Sequence, residues 1–405
     1  MNWHELTMRP RDLLFFRDAK PMEASSVGCG ANWPLPNLMH DSLINAMKKQ
    51  WPASQEWEFS HKHPNAKDRR EDLANLRFGG LQTTGVFPCR DEMLFFPRPA
   101  DLEHDGNQMV LQCFRGSCNL PPYLKIGCAI SGEPSKKRGP EWITEDSMRR
   151  YFDGEKLNFE KKTQPLFDCE NRTGIAIDPE SGAAMKSKLY LAEYLRLREN
   201  VTLKGFAACE SVCRGKNATD VLEKFFTEES SLDVVIGGQQ GVAQVTKHPC
   251  VESLAATLPG GDGIGCYLKW VLLTPAVFDS GWLPDWVNAE SGEVLLPSEK
   301  PERRVDESRA DWRLRFTESL KARLIAVRME KSQVISGWNL RKAGPRPTRL
   351  AVPAGMVYWF KADTPADAAA LCAALQGRFK SNYYGEKGFG LGICKVFENI
   401  EIKGE

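Results

Sequence analysis

Residues 383–397 read YYGEKGFGLGICKVF, with Gly385, Gly388, Gly390 and Gly392 falling just before a run of strand character. Glycine loses more conformational freedom on folding than any other residue, so such clustering implies left-handed turns or a close approach by another group. Two chemistries fit: a plain turn, or a loop whose bare amides close on phosphate. Arg378, Lys380 and Lys387 lie in or beside this loop, and cations there favour phosphate. It is not a nucleotide-binding P-loop, because GEKGFG carries its lysine before the second glycine. Nor does it follow a strand and open a helix, as a dinucleotide fingerprint does. No cofactor is expected.

A second concentration of chemistry precedes the loop. From Lys331 to Ala362 there is no acidic residue, yet Lys331, Arg341, Lys342, Arg346, Arg349 and Lys361 are present with Trp338, Tyr358 and Trp359. Cations neutralise phosphates and aromatic faces stack on unpaired bases, a combination that suits single-stranded nucleic acid. A solvated basic face over core aromatics produces the same pattern, and core packing is the expectation for Trp359. The formal net charge is +1, so any such site must come from local segregation and not from a global field.

Other chemistries find less support. His4, His40, His61, His63, His104 and His248 are scattered. A metal-independent ribonuclease needs one poised as general base, and His4, next to the expected first strand, is the best placed. No G-x-S-x-G, H-E-x-x-H or aspartate pair stands out, so no catalytic residue is assigned. Among 12 cysteines, Cys113/Cys118 and Cys209/Cys213 lack zinc-ribbon spacing, and even with His61 and His63 nearby no metal is expected. The opening residues lack a secretory pattern, and no apolar run approaches the roughly 20 residues that span a bilayer. The expectation is a cytoplasmic protein without membrane contact.

The elements that must position these groups alternate between strand and helix. The length of 405 residues, with 42% hydrophobic and 26% charged, predicts two globular domains. LLFF (13–16) reads as a short buried strand, and DSLINAMKKQW as a helix capped by Asp41 or Ser42. Thr144 caps a helix in ITEDSMRRYFDGE, and Thr219 or Asp220 one in ATDVLEKFF. Thr364, Pro365, Asp367 and Gly377 mark the start and stop of a helix over TPADAAALCAALQG. Strands with single helices, twice over, predict an α+β protein of two ferredoxin-like, RNA-recognition-like domains with long loop insertions, over 1–245 and 246–405.

The blocks LLFFRDAKP (13–21), LFFPRPADL (94–102), RTGIAID (172–178), KLYLAEYLRL (188–197), VIGGQQG (235–241), ISGWNLRKAGPRPTRLAVPAGMVYWF (335–360) and GEKGFGLG (385–392) stand in one order. That order resembles the third Cmr subunit of type III-B CRISPR effector complexes, a RAMP protein of the group that binds the crRNA 5′ tag. The resemblance implies a non-catalytic scaffold that grips the repeat-derived tag and docks the large palm-domain subunit and the backbone RAMP subunits. Target RNA would be met only indirectly. The positions carried over are Arg17, Asp18 and Lys20 after the first strand, Gly237 and Gly238, and the loop Gly385, Lys387, Gly388, Phe389, Gly390 and Gly392. The residues also offer Tyr383, Tyr384 and Phe389 for stacking, with Trp338, Asn339, Arg341 and Lys342 beside them. Lys20 stands where arginine is expected, and GGQQG lacks the charged residues expected after its glycines.

Three further expectations complete the reading. The segment 135–170, with Lys136, Lys137 and Arg138, is expected to reach towards the guide–target duplex like the thumb of similar subunits. The acidic stretch around Asp279, Asp285, Glu290 and Glu293 is expected to face a protein partner. The alternatives to RNA gripping are an endoribonuclease processing precursor crRNA, dependent on His4, and a protein-interaction module whose glycine loop is only a turn.

Overall fold

A computed structural model describes residues 2–16, 27–28, 33–51, 80–114, 120–131, 135–137, 139–159, 165–211, 219–226, 231–238, 241–298, 308, 311–312, 319–339 and 344–404. It is mixed α and β, mostly strands with few helices. The first strand is Trp3–Pro10, and LLFF is not a strand. Alternation places Leu6 and Met8 in the core, a period-two signal overshadowed by the denser apolar run that follows. Leu13 to Phe16 are buried, with only an isolated bridge from Leu14 to Leu195.

In the first half the core of the sheet is Val242–Val251, Trp3–Pro10, Val201–Ser211 and Leu81–Thr83, all antiparallel neighbours. Fourth strand lies beside first, first beside third, and third beside second. The second half repeats that order with Leu391–Phe397, Tyr267–Leu272, Val357–Ala362 and Ala322–Arg328. In each half a helix precedes the fourth strand, Val221–Phe225 in one and Pro365–Leu375 in the other. Asp220 caps the former, accepting from the amides of Leu222 and Glu223. Thr364 caps the latter, with Pro365 in its first turn. Helix Asn37–Gln50 starts earlier than its sequence suggests, behind Pro36, so Asp41 and Ser42 lie inside it and not at its cap.

The runs WVLL and VYWF are continuously apolar because the main sheet of the second half is covered on both faces. Trp270, Tyr358 and Phe360 point into the core under helix Pro365–Leu375. Their neighbours Val271, Val357 and Trp359 point the other way, into a core shared with Phe87, Phe96, Tyr151 and Phe206 of the first half. Trp359 is thus a core residue, as expected. Among the described residues, two of the polar contacts that cross this seam bury a lysine ammonium. Lys269 reaches Asp101 at 3.2 Å and Gln108 at 2.8 Å, and the Tyr151 hydroxyl donates to Asp101 at 2.6 Å. The other joint lies at the glycine loop. Among the described residues no helix is long and apolar enough to cross a membrane.

Candidate nucleic-acid interface

The loop between Arg378–Phe379 and Leu391–Phe397 is closed by its own hydrogen bonds. The amide of Lys387 donates to Tyr384, that of Gly388 to Gly385, that of Phe389 to Tyr384 and that of Gly390 to Pro275, at 2.8–3.2 Å. Thr274 finishes the closure: its hydroxyl donates to Gly388 at 2.6 Å and accepts from the Leu391 amide at 2.9 Å. Amides committed in this way cannot also cradle a phosphate. The expected nest over Lys387 to Gly390 is therefore corrected.

Its glycines serve packing instead. Gly388 has φ of 92°, and a Cβ there would stand 2.6 Å from the backbone of Thr84 and Gly85 in the other half. Gly390, at φ of 74°, would place a Cβ 2.6 Å from the Lys380 carbonyl carbon. At Gly392 a Cβ would collide with the Trp270 indole. Only Gly385 of the four has room, with Phe379 Cβ at 3.7 Å. Left-handed backbone and close approach both demand glycine, and here both arise from the fold.

Two expected contact residues are covered. Phe389 is 1% exposed and packs with Val277, Ile335 and Ala351, so its ring is not open for stacking. Lys387 is 4% exposed, and its ammonium lies 3.1 Å from Asp41 Oδ1 on the first helix. Burial pushes the Asp41 carboxyl up, but His40 beside it, the Lys387 ammonium and the Asn37 amide outweigh this and hold it well below the usual carboxylate range. Sequence reasoning treated Asp41 only as a helix cap and missed this inter-half role, because nothing local couples it to the distant loop.

The outward part of the loop, Tyr383 to Glu386, is half-buried and meets a basic hairpin. That hairpin pairs Gln333–Ile335 with Arg349–Ala351, and Trp338–Asn339 with Gly344–Pro345. Arg349 stacks over Tyr383 with its guanidinium carbon 3.5 Å from the ring centroid. One face of Tyr383 is therefore taken by the protein's own cation, which restricts any stacking on a base to the other face. The Tyr383 hydroxyl donates to Asp279 at 2.8 Å, and Asn382 donates to both Asp279 and Asp285. These two exposed carboxylates thus also hold the loop. Tyr384 packs on Phe389 at 5.4 Å. Arg346, Ser336, Asn37, Tyr384 and Lys387 line a small cavity under the hairpin.

Elsewhere the fold joins two sequence-distant blocks. The Gly238 amide donates to the Phe15 carbonyl at 2.8 Å, and Gly237, at φ of 70°, sits against the same carbonyl. The double glycine thus abuts the lead of the FRD block. Arg17, Asp18, Lys20, Arg138, Arg341, Lys342, Gln239 and Gln240 lie outside the described residues. Lys136 and Lys137 are exposed.

Within its described residues the segment 135–170 packs inward and does not reach out as expected. Its helix Glu145–Phe152 is capped by Thr144 and buries Met148, Tyr151 and Phe152 in the shared core. The extended element is instead the antiparallel ribbon Phe167–Ile177 and Ala184–Leu197, edged in parallel by Val27–Gly28. It exposes Ile175 and Ile177, and Arg196 and Arg172 pair with Glu170 along it. His4 is 2% exposed, with Nε2 2.7 Å from the capping carboxylate of Asp220. A base so enclosed cannot reach a ribose hydroxyl. Among the described residues no group of three or more His, Cys, Asp or Glu is arranged to hold a metal ion.

Fold and site together define a mixed α/β protein, mostly strands, whose two largest sheets meet at a seam with a basic hairpin beside it. The chain belongs to the CRISPR-associated protein family Cas_Cmr3, whose profile matches residues 6–396. Among solved structures, a chain of the type III-B Cmr-beta complex bound to cognate target RNA is 13% identical over 88% of this chain and 86% of that one, with a TM-score of 0.44. A chain of the Csm3–Csm4 subcomplex of the type III-A CRISPR-Cas interference complex is 10% identical over 89% and 94%, with a TM-score of 0.34. No curated protein matches.

Proposed function

We propose that the chain is a non-catalytic crRNA-binding subunit of a type III-B CRISPR effector, working in the cytoplasm in antiviral defence. It grips the 5′ repeat-derived tag and docks the large palm-domain subunit and the backbone RAMP subunits. Its two halves are ferredoxin-like domains, a reading supported by their common strand order. The observation that carries the proposal is the basic hairpin folded over the outward rim of the glycine loop. Arg346 and Arg349 lie there in a stretch without a carboxylate between 331 and 362. Family membership supplies the context in which that polyanion is crRNA. The closed glycine loop acts as a rigid floor, and the phosphates are met by arginine side chains and not by a backbone nest.

A filter-binding salt series with the purified chain tests this. It compares tag-bearing RNA, scrambled RNA and duplex DNA, with Arg346→Ala and Gly385→Glu beside wild type. Tag preference and a negative salt slope that Arg346→Ala makes shallower by about one are expected. Gly385→Glu adds a carboxylate where there is room for it and weakens every RNA without unfolding the loop. Equal affinity for all three ligands, unchanged in both variants, overturns the proposal.

A further inference from the structure

A cleft of about 170 Å³ opens between the halves at the root of the ribbon. Trp33, Trp142 and Phe167 form one side, and prolines from both halves stiffen the rest. Trp33 is pinned by its indole N–H, which donates to Val86 at 3.1 Å. It packs edge-on to Trp142 at 4.9 Å and tilted on Phe167 at 5.4 Å. The floor is Thr274, the residue whose hydroxyl closes the glycine loop. Side chains with little torsional freedom make such a cleft preformed, which lowers the cost of filling it.

Two polar groups face this apolar slot, Glu141 and Gln333. Among the described residues neither side chain makes a hydrogen bond; Gln333 is half-buried and Glu141 stands exposed at the rim. Gln333 also begins the basic hairpin, and the adjoining cavity with Arg346 shares Leu35 with the cleft. An aromatic slot, hydrogen-bonding groups and a neighbouring cation together describe a flat heteroaromatic ring tethered to an anion. A proline-rich peptide also suits aromatic walls, but it leaves Arg346 and the two polar side chains without a role.

We propose that this cleft receives one unpaired base of the bound RNA, an assignment that rests on the RNA-binding reading above. The base stacks against the tryptophan cluster while its phosphate lies towards Arg346. Glu141 only accepts when ionised, so the slot prefers guanine, adenine or cytosine, which present an amino group, over uracil. Gln333 donates and accepts at the same edge.

The test uses the full chain and a tag-bearing single-stranded RNA in which each position in turn is made abasic. In wild type one position is expected to cost about tenfold in affinity, with the others costing little. In Trp142→Leu, and in the milder Glu141→Ala and Gln333→Ala, that single penalty falls below about twofold. Uracil at that position is expected to weaken wild type but not Glu141→Ala. A positional profile unchanged in all three variants overturns the slot while leaving RNA binding intact. Absence of RNA binding by wild type removes both proposals. Quenching of tryptophan emission by a polyproline peptide and not by RNA assigns the cleft to a peptide and overturns the slot.

Discussion

Among the lysine–aspartate pairs that join the halves, Lys269–Asp101 and Lys387–Asp41 differ in their surroundings. Lys269 and Asp101 are 3.2 Å apart with both side chains at most 8% exposed, whereas Lys387 meets an Asp41 whose side chain is 41% exposed. Burying charge is costly unless every remaining donor and acceptor is satisfied. Around Asp101 that condition is met: Tyr151 takes one carboxylate oxygen, and Gln108 and the Tyr151 ring share the ammonium. Burial beside that carboxylate pushes the Tyr151 hydroxyl well above its ordinary range. Around Asp41 the carboxylate is partly open to solvent. The buried pair holds the seam shut, and the half-exposed pair holds the glycine loop at the place where the seam opens to solvent.

The comparison is broken most strongly at the buried pair. Lys269→Met leaves Asp101 buried without its counter-charge, and a loss of about 3–5 kcal/mol in urea unfolding is expected. An effect below about 1 kcal/mol would mean that water reaches the site. Gly388→Ala comes next, because it combines a left-handed φ with a backbone collision across the seam. A loss of about 1–3 kcal/mol is expected, read as a lower thermal midpoint.

Asp41→Asn sharpens the contrast with a smaller effect, about 1 kcal/mol at neutral pH. The Asp41 carboxyl sits below its unfolded value of about 4, so its contribution is present above that pH and drains away as pH falls towards the native value. Wild-type and variant stabilities are therefore expected to converge below about pH 4 in acid titrations followed by circular dichroism. A gap that stays constant into acid would show that the carboxylate charge is not what Lys387 uses. Gly385→Ala is the smallest change. With space around it and no left-handed φ, a shift within about 0.5 kcal/mol is expected.

Several elements were legible because their signals are local. Thr144 and Thr364 each cap the helix that follows them, and Pro365 occupies a first-turn position where its missing N–H costs nothing. Of the two candidates Thr219 and Asp220, the latter became the cap because its carboxylate reaches two amides at once. The first strand was hidden by contrast: Trp3–Pro10 alternates, while the buried LLFF run beside it looks more like a strand yet forms one bridge only. The ribbon was split between two separate blocks, because its register is set by pairing between Phe167–Ile177 and Ala184–Leu197. The use of the glycines was the least legible feature. Clustering announces unusual backbone but not the neighbour that requires it, and for Gly388 that neighbour is the chain at Thr83–Gly85.

By itself the sequence determined the capped helices, most strand positions, the charge segregation around the hairpin and a family resemblance spread along the chain. Each depends on residues within a few positions of one another, where backbone dihedrals, hydrogen-bond caps and side-chain periodicity act directly. Only the tertiary structure decided which lysine is covered, which aromatic ring is open, and that the glycine loop closes on itself against the other half. Those properties depend on solvent exclusion and on partners far away in the chain, and no local spacing encodes which surfaces will meet.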